Sequence, residues 1–118
     1  MSGDQVRVTG AQFRASWYAQ MSEAEFQARV ERMAGLRGWE FFHVYNSRRS
    51  KPGYPDLHLW HPRYGQMFRE LKTMTGRQSP AQLAVEASLR AAGADVGVWR
   101  PADLDRRIDD ELRGKTVE

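Results

Sequence analysis

The sequence contains no cysteine and no long apolar run, and basic residues only slightly outnumber acidic ones. Without cysteine there is no disulfide framework, no thiolate metal site and no thiol nucleophile, which fits a reducing compartment. No apolar run approaches the roughly 20 residues that span a bilayer, and the N-terminus lacks the layout of a signal peptide. We therefore expect a soluble, cytoplasmic protein whose available metal-binding side chains are Asp, Glu and His.

A length of 118 residues with 41% hydrophobic residues predicts one compact domain. The net charge is only +3, but the charges are unevenly distributed. Residues 29–77 carry ten basic and four acidic side chains, whereas residues 95–118 carry five basic and seven acidic ones. A cationic middle is typical of a surface that attracts nucleic acid, and equally of an ordinary solvated surface.

Hydrophobic spacing predicts an αβββαβα order, which is a small mixed sheet flanked by helices. Residues 1–20 show no clear period and are interpreted as an N-terminal extension, either loose or helical over 11–20. A first helix is expected from Ser22, which begins a capping-box pattern with Glu25, to Gly35 or Gly38. Strands are expected at 39–45, 56–60, 66–73 and 95–100, and further helices at 80–92 and from Pro101 onward, the last with Leu104, Ile108 and Leu112 on one face.

Three charged residues in the predicted hairpin of the second and third strands could form a reactive site. Glu70 and Lys72 are two apart on a strand and would therefore point to the same face. If the strands pair, Asp56 comes close to Glu70, giving two oxygen ligands suited to Mg²⁺ or Mn²⁺. Such an ion can polarise a phosphate and lower the pKa of a bound water, and Lys72 could orient that water or stabilise developing negative charge.

Singly, each of these residues is more simply explained as an ordinary surface or turn residue. Together, Gly53-Tyr54-Pro55-Asp56 followed by Glu70-Leu71-Lys72 resembles the PD-(D/E)xK nuclease superfamily, and within it the virus-type replication-repair nuclease (VRR-NUC) domains. The resemblance covers roughly residues 22–110. It rests on six segments in order: SEAEFQ, HVYNSRRS, GYPDL, RELKT, SPAQ and RAAGADVGVWRP.

The resemblance implies a restriction-endonuclease-like αβββαβ core with a C-terminal helix, occupying residues 21–114. It implies metal-dependent phosphodiester hydrolysis, with Mg²⁺ or Mn²⁺ as the cofactor. Asp56, Glu70 and the backbone carbonyl of Leu71 would be metal ligands, and Lys72 would be the catalytic lysine.

Related nucleases also place a first-helix glutamate beside the metal, and two residues here are candidates. Glu23 shares a helical face with Phe26 and Gln27, the face expected to pack toward the sheet, whereas Glu25 has a sufficient role in the capping box. We therefore assign the catalytic and metal-binding role to Glu23. Gln27, one turn further, could orient the site.

Two further residues match positions of interest in the family. Gln82 matches a glutamine placed near the active site, although its position in the Ser79 capping box explains it equally well. His43 precedes the basic loop and could contact DNA or support Asp56; a structural, half-buried histidine is the favoured alternative. His58 and His61 lie near Asp56 in the sequence but do not make a zinc site.

The loop before Asp56 is rich in groups that bind phosphates, and Arg69 and Arg77 could extend its positive surface. A flexible surface loop without function is the alternative. The tryptophans are more simply core or edge residues than platforms for stacking bases. The predicted nucleic-acid contacts are Ser47, Arg48, Arg49, Lys51, His43 and Arg77.

These residues together predict a Mg²⁺/Mn²⁺-dependent DNA endonuclease acting on branched or structured DNA, of Holliday-junction or flap type, in replication or repair. A nuclease-fold DNA-binding module without cleavage is the alternative, and an unrelated α/β binding domain is a third. We also expect a homodimer, because so small a domain has little surface for a duplex and because Phe13, Trp17 and Tyr18 in residues 1–20 are not obviously needed by the core. A phage or prophage origin is a further expectation.

Overall fold

The structure is a computed structural model that describes residues 8–44 and 51–115. Four strands form one sheet, and helices precede and follow it. No helix within the described residues is long and apolar enough to cross a membrane. The elements in chain order are α1 (Gly10–Gln20), α2 (Glu23–Leu36), β1 (Glu40–His43), β2 (Leu57–His61), β3 (Gly65–Leu71), α3 (Pro80–Ala91), β4 (Val96–Trp99), a 3₁₀ helix (Pro101–Asp105) and α4 (Arg107–Leu112).

The sheet has the order β1-β2-β3-β4 and is mixed, as expected. The first three strands pair antiparallel, and β4 joins β3 in parallel after the chain has passed through α3. Leu57 pairs with Arg69, which sets the register of the hairpin. The following pair in this register is Asp56 with Glu70, so the hairpin brings the two predicted carboxylates to one end of the sheet.

The hydrophobic core lies on one face of the sheet, where α2 contacts β1, β3 and α4. Alternate residues of the central strands point into it, as the buried Leu57 and Leu59 of β2 show. From α2, residues at helical spacing meet this face, so the amphipathic pattern correctly predicts the packing. The core side chains that are fully buried include Phe26, Val30, Ala34, Leu71, Trp99, Ile108 and Leu112.

Arg69 is part of this buried face, so the expectation that it extends the positive surface is wrong. Its side chain is 5% exposed and lies 2.7 Å from Glu111 and 2.9 Å from Asp95. Burial alone would raise the pKa of Glu111, but the charge of Arg69 and hydrogen bonds from Arg107, Arg69 and Trp99 hold that pKa below its usual value. The arginine is therefore neutralised within the fold and is not available to a phosphate.

The expectation of one continuous C-terminal helix from Pro101 is also wrong. The segment is a 3₁₀ helix followed by α4, separated by Arg106 with φ −151° and ψ −52°. Ile108 and Leu112 are fully buried, whereas Leu104 only packs against the edge of the core. A straight α-helix would carry all three residues on one face. The break instead allows the 3₁₀ helix to contact α1.

That first helix, α1, is not a loose extension. Thr9 and Gln12 form a reciprocal capping box at its start. Tyr18 is buried in the core and donates a hydrogen bond to Asp105; burial and this bond raise the pKa of Tyr18 to about 12. Trp17 packs against the core, and the Arg29 guanidinium lies 4.6 Å from the centre of its ring. Of the three aromatic residues attributed to a dimer contact, only Phe13 is left exposed.

Truncating Tyr18 should therefore cost far more stability than truncating Phe13. We expect Tyr18→Ala to lower the free energy of unfolding by about 3 kcal/mol, because it removes a buried ring and its hydrogen bond. Phe13→Ala, on the same helix but 67% exposed, should change it by less than about 0.5 kcal/mol. Urea unfolding measures both, and equal small effects would contradict the packing of α1 described above.

Candidate active site

Asp56 and Glu70 meet at the end of the β2–β3 hairpin. Asp56 directly precedes β2, and Glu70 is the penultimate residue of β3. The Oδ2 atom of Asp56 accepts a hydrogen bond of 2.8 Å from the backbone N–H of Leu71, which holds one carboxylate against the opposite strand. The structure thus brings together the two carboxylates on which the sequence argument depended.

Glu70 is a buried carboxyl group with a perturbed pKa. Its exposed fraction is 5%, and glutamates are rarely so deeply buried. Burial, a hydrogen bond with Asp56 and the negative charge of Asp56 raise its pKa to about 9, although Lys72 acts in the opposite direction. Two acidic groups held this close in a desolvated position are typical of a functional site, because nothing in folding alone requires them.

Gln82 combines the two roles between which the sequence could not decide. Its Oε1 atom accepts a hydrogen bond of 2.8 Å from the backbone N–H of Ser79 and completes the capping box of α3. Its Nε2 atom donates a hydrogen bond of 2.9 Å to Oε1 of Glu70. Since the Ser79 N–H can only donate, it fixes the orientation of the amide and turns the NH₂ group toward Glu70. The cap of α3 therefore holds Glu70 in position.

On α2, Glu23 and Glu25 lie in different surroundings. Glu23 lines the cleft that contains Asp56 and Glu70, and its charge contributes to the raised pKa of Glu70. Glu25 is on the outer side, 3.5 Å from Arg29. The capping box predicted for this helix is only half formed: Ser22 accepts from the Glu25 N–H, while the Glu25 side chain turns to Arg29. Gln27 lines the cleft and donates to Glu31.

Lys72 opens onto the same cleft as Glu70, although β3 ends at Leu71, two residues before its predicted end, and Lys72 therefore follows the strand directly. The Lys72 N–H still donates to the Trp99 carbonyl at 3.1 Å, so the backbone stays aligned with β4. Beyond it, Arg100 donates through Nη1 to the carbonyls of Thr73 and Gly76, at 2.6 and 2.7 Å. Sequence reasoning missed this contact, because a lone arginine before a proline carries no signal of where it binds.

The cleft has a volume of about 610 Å³ and is lined by residues of α2, β1, β3 and α3, of the segment before β2 and of the segment between β3 and α3. His43 and Lys51, two of the predicted nucleic-acid contacts, are among the lining residues. Arg77 is exposed but is not among the lining residues. The predicted contacts Ser47, Arg48 and Arg49 lie outside the described residues.

The side chains of the cleft have the oxygen chemistry that a divalent cation prefers. Asp56 and Glu70 offer hard carboxylate oxygens, and their mutual repulsion would be relieved by a positive ion. Within residues 8–44 and 51–115, no three side chains of His, Cys, Asp or Glu are grouped closely enough to hold a metal ion. Glu23 lines the same cleft without completing such a group, so its metal-binding role stays a prediction, and a backbone oxygen such as that of Leu71 would have to complete the set.

Gly53 determines how the loop that carries Asp56 packs on α3. It has φ +84°, and a β-carbon placed there would collide with the Ala81 backbone and come within 2.7 Å of the Gln82 nitrogen. The Gly-Tyr-Pro-Asp turn thus lies directly on the first turn of the helix that holds Glu70. This close approach, together with the positive φ, explains why a glycine stands at this position.

Gly53→Ala should therefore damage both the fold and the site. The suitable control is Gly65→Ala, because Gly65 has φ +87° but no atom within 4 Å of its added β-carbon. We expect Gly65→Ala to cost about 1 kcal/mol of stability from backbone strain alone, and Gly53→Ala to cost roughly 2 kcal/mol more from the collision. Thermal and urea unfolding compare them; equal costs would show that Gly53 does not pack on α3 as described.

Comparison with known proteins agrees with this architecture. A solved structure described as a VRR_NUC domain is 30% identical to this chain, with a TM-score of 0.53. The match covers 70% of this chain and 92% of the other. No family model and no curated protein matches. The mixed sheet with its flanking helices and this degree of identity confirm the resemblance seen in the sequence, and the chain belongs to the VRR-NUC family of nuclease domains.

Proposed function

We propose that the protein is a Mg²⁺- or Mn²⁺-dependent endonuclease that hydrolyses phosphodiester bonds in DNA. The observation that carries the proposal is the buried Glu70 carboxyl beside Asp56, with Lys72 opening on the same cleft. Asp56, Glu70 and the Leu71 carbonyl would hold the ion. When bound, a divalent cation polarises the phosphate and activates water for attack.

The residues around the pair have distinct roles in this proposal. Lys72 places a positive charge where negative charge develops on the phosphate, or orients the attacking water. Gln82 holds Glu70 through the 2.9 Å hydrogen bond and is a positioning residue. Glu23, at the α2 side of the cleft, could accept a proton or hydrogen bond from water. Lys72, Gln82 and Glu23 all line the cleft that contains Asp56 and Glu70.

The substrate we propose is branched or structured DNA, bound by a homodimer. One chain offers one such cleft among its described residues, so two symmetric cuts in a junction need two copies. Lys51 brings a positive charge to the cleft wall, and the basic residues that precede it extend the same stretch of sequence. Light scattering at micromolar concentration distinguishes a dimer from a monomer and therefore tests the proposed homodimer.

The alternative is a nuclease-fold module that binds DNA without cutting it. Such a module has no need of a buried carboxyl beside a second acidic group, since carboxylate charge repels the phosphate backbone unless a cation intervenes. The intact set of Asp56, Glu70 and Lys72 therefore favours the enzyme.

Lys72→Ala and Asp56→Ala should each lower the rate of DNA cleavage by about 10²-fold or more, because the first removes the charge placed at the scissile phosphate and the second removes a ligand of the ion. The assay follows labelled duplex, flap and four-way substrates with Mg²⁺, with Mn²⁺ and with EDTA. Glu25→Gln, on the outer side of α2, is the matched control and should retain the activity of the unmodified chain.

No metal-dependent cutting on any of these substrates would overturn the enzyme proposal in favour of the binding module. Equal cutting by Lys72→Ala would show that the measured activity comes from a contaminant, and would contradict the assigned site.

A further inference from the structure

The face of the sheet opposite the core carries a strip of aromatic side chains that includes exposed rings on β1 and β2. The register places Phe42, His58 and Phe68 beside one another across three strands, and Trp60 follows His58 on the same face. Phe42 is 61% and Trp60 37% exposed. The tryptophan expected to be a core or edge residue is thus exposed, unlike Trp39 and Trp99.

The rings of this strip contact one another and reach the catalytic cleft. His58 and Phe68 stack with a centroid distance of 4.5 Å and an angle of 6°. Tyr54 meets the Phe68 ring edge-on at 6.2 Å, and Tyr54 also lines the cleft that holds Asp56 and Glu70. At the other end, Trp60 donates its indole N–H to Glu40 at 2.7 Å, which fixes the plane of its ring.

The chemistry of the strip suits the unpaired bases of a nucleic acid. The rings lie beside hydrogen-bonding groups, as the 2.8 Å contact between His58 Nε2 and Gln66 Oε1 shows, so the strip offers polar groups to base edges as well as ring faces for stacking. Aromatic rings on an open sheet face stack on the bases of a single strand. In a duplex those base faces are already occupied by their neighbours. Three strands span about 10 Å, which is room for two or three bases.

We propose that this aromatic strip, formed by Tyr54, Phe68, His58, Trp60 and Phe42, binds the unpaired bases of a DNA strand that leaves the catalytic cleft. The inference rests on the proposed nuclease function and narrows its substrate to DNA with a single-stranded segment beside the scissile phosphate. Tyr54 connects the two surfaces, because it contacts Phe68 of the strip and also lines the cleft. A strand leaving the cleft would therefore meet the strip directly.

The test is the affinity of the full chain for a labelled oligothymidylate of roughly 20 nucleotides, measured by anisotropy in EDTA. Trp60→Ala should weaken binding about tenfold, since one stacking platform is lost. Trp60→Phe, which keeps a ring, should stay within about threefold of the unmodified protein. Phe13→Ala, an exposed aromatic on α1, is the control and should leave the affinity unchanged.

A photocrosslink makes the result independent of folding of the variants. An oligothymidylate carrying 5-iodouracil should crosslink to Trp60 in the unmodified protein, as located by mass spectrometry of the tryptic peptides. Unchanged affinity of a folded Trp60→Ala protein, or crosslinks only at other residues, would overturn the proposal. A Trp60→Ala protein that keeps its affinity but loses its oligomeric state would show a protein interface and would also overturn it.

Binding in EDTA does not require catalysis, so the two proposals fail separately. If the protein binds oligothymidylate through Trp60 but cuts no substrate, the proposal for the aromatic strip stands and the endonuclease proposal fails. If the protein cuts duplex DNA through Lys72 and Trp60→Ala changes neither binding nor cleavage, the endonuclease proposal stands and the proposal for the aromatic strip fails.

Discussion

The site depends on one unfavourable juxtaposition, the burial of Glu70 beside Asp56. A carboxyl group that is 5% exposed and next to a second acid is expensive for a fold to maintain, and the raised pKa of Glu70 is the consequence. Two hydrogen bonds hold the pair in place, one from the Leu71 N–H to Asp56 and one from Gln82 to Glu70. A divalent cation would turn the same repulsion into attraction.

Several elements of the fold converge on this pair. The antiparallel register places Asp56 opposite Glu70, and the capping box of α3 orients the Gln82 amide. Gly53 allows the turn before Asp56 to lie on the backbone of that helix. On the other face of β3, the buried charge of Arg69 is neutralised by Glu111 and Asp95. Arg69 therefore belongs to the core side of the strand, while the next residue, Glu70, belongs to the cleft.

Local sequence patterns predicted much of this architecture. The features that they did not predict depend on contacts between residues far apart in the chain. The order of strands, the α3 capping box and the carboxylate pair follow from spacing within short segments, because strand alternation and helix caps are local. The burial of Arg69, the docking of Tyr18 on Asp105 and the contact of Arg100 with the loop after Lys72 join residues far apart in the chain. The α1 capping box of Thr9 and Gln12 was readable in the sequence and was missed.

The central claim is that Asp56 and Glu70 form the ligands of one divalent cation. The most direct measurement is the anomalous scattering of Mn²⁺ in crystals of the full chain, for the unmodified protein and for Asp56→Asn. The account predicts a peak bonded to both carboxylates in the unmodified protein and a lost or strongly weakened peak in the variant. A peak that persists at full strength without the Asp56 carboxylate, or that lies away from the pair, would contradict it.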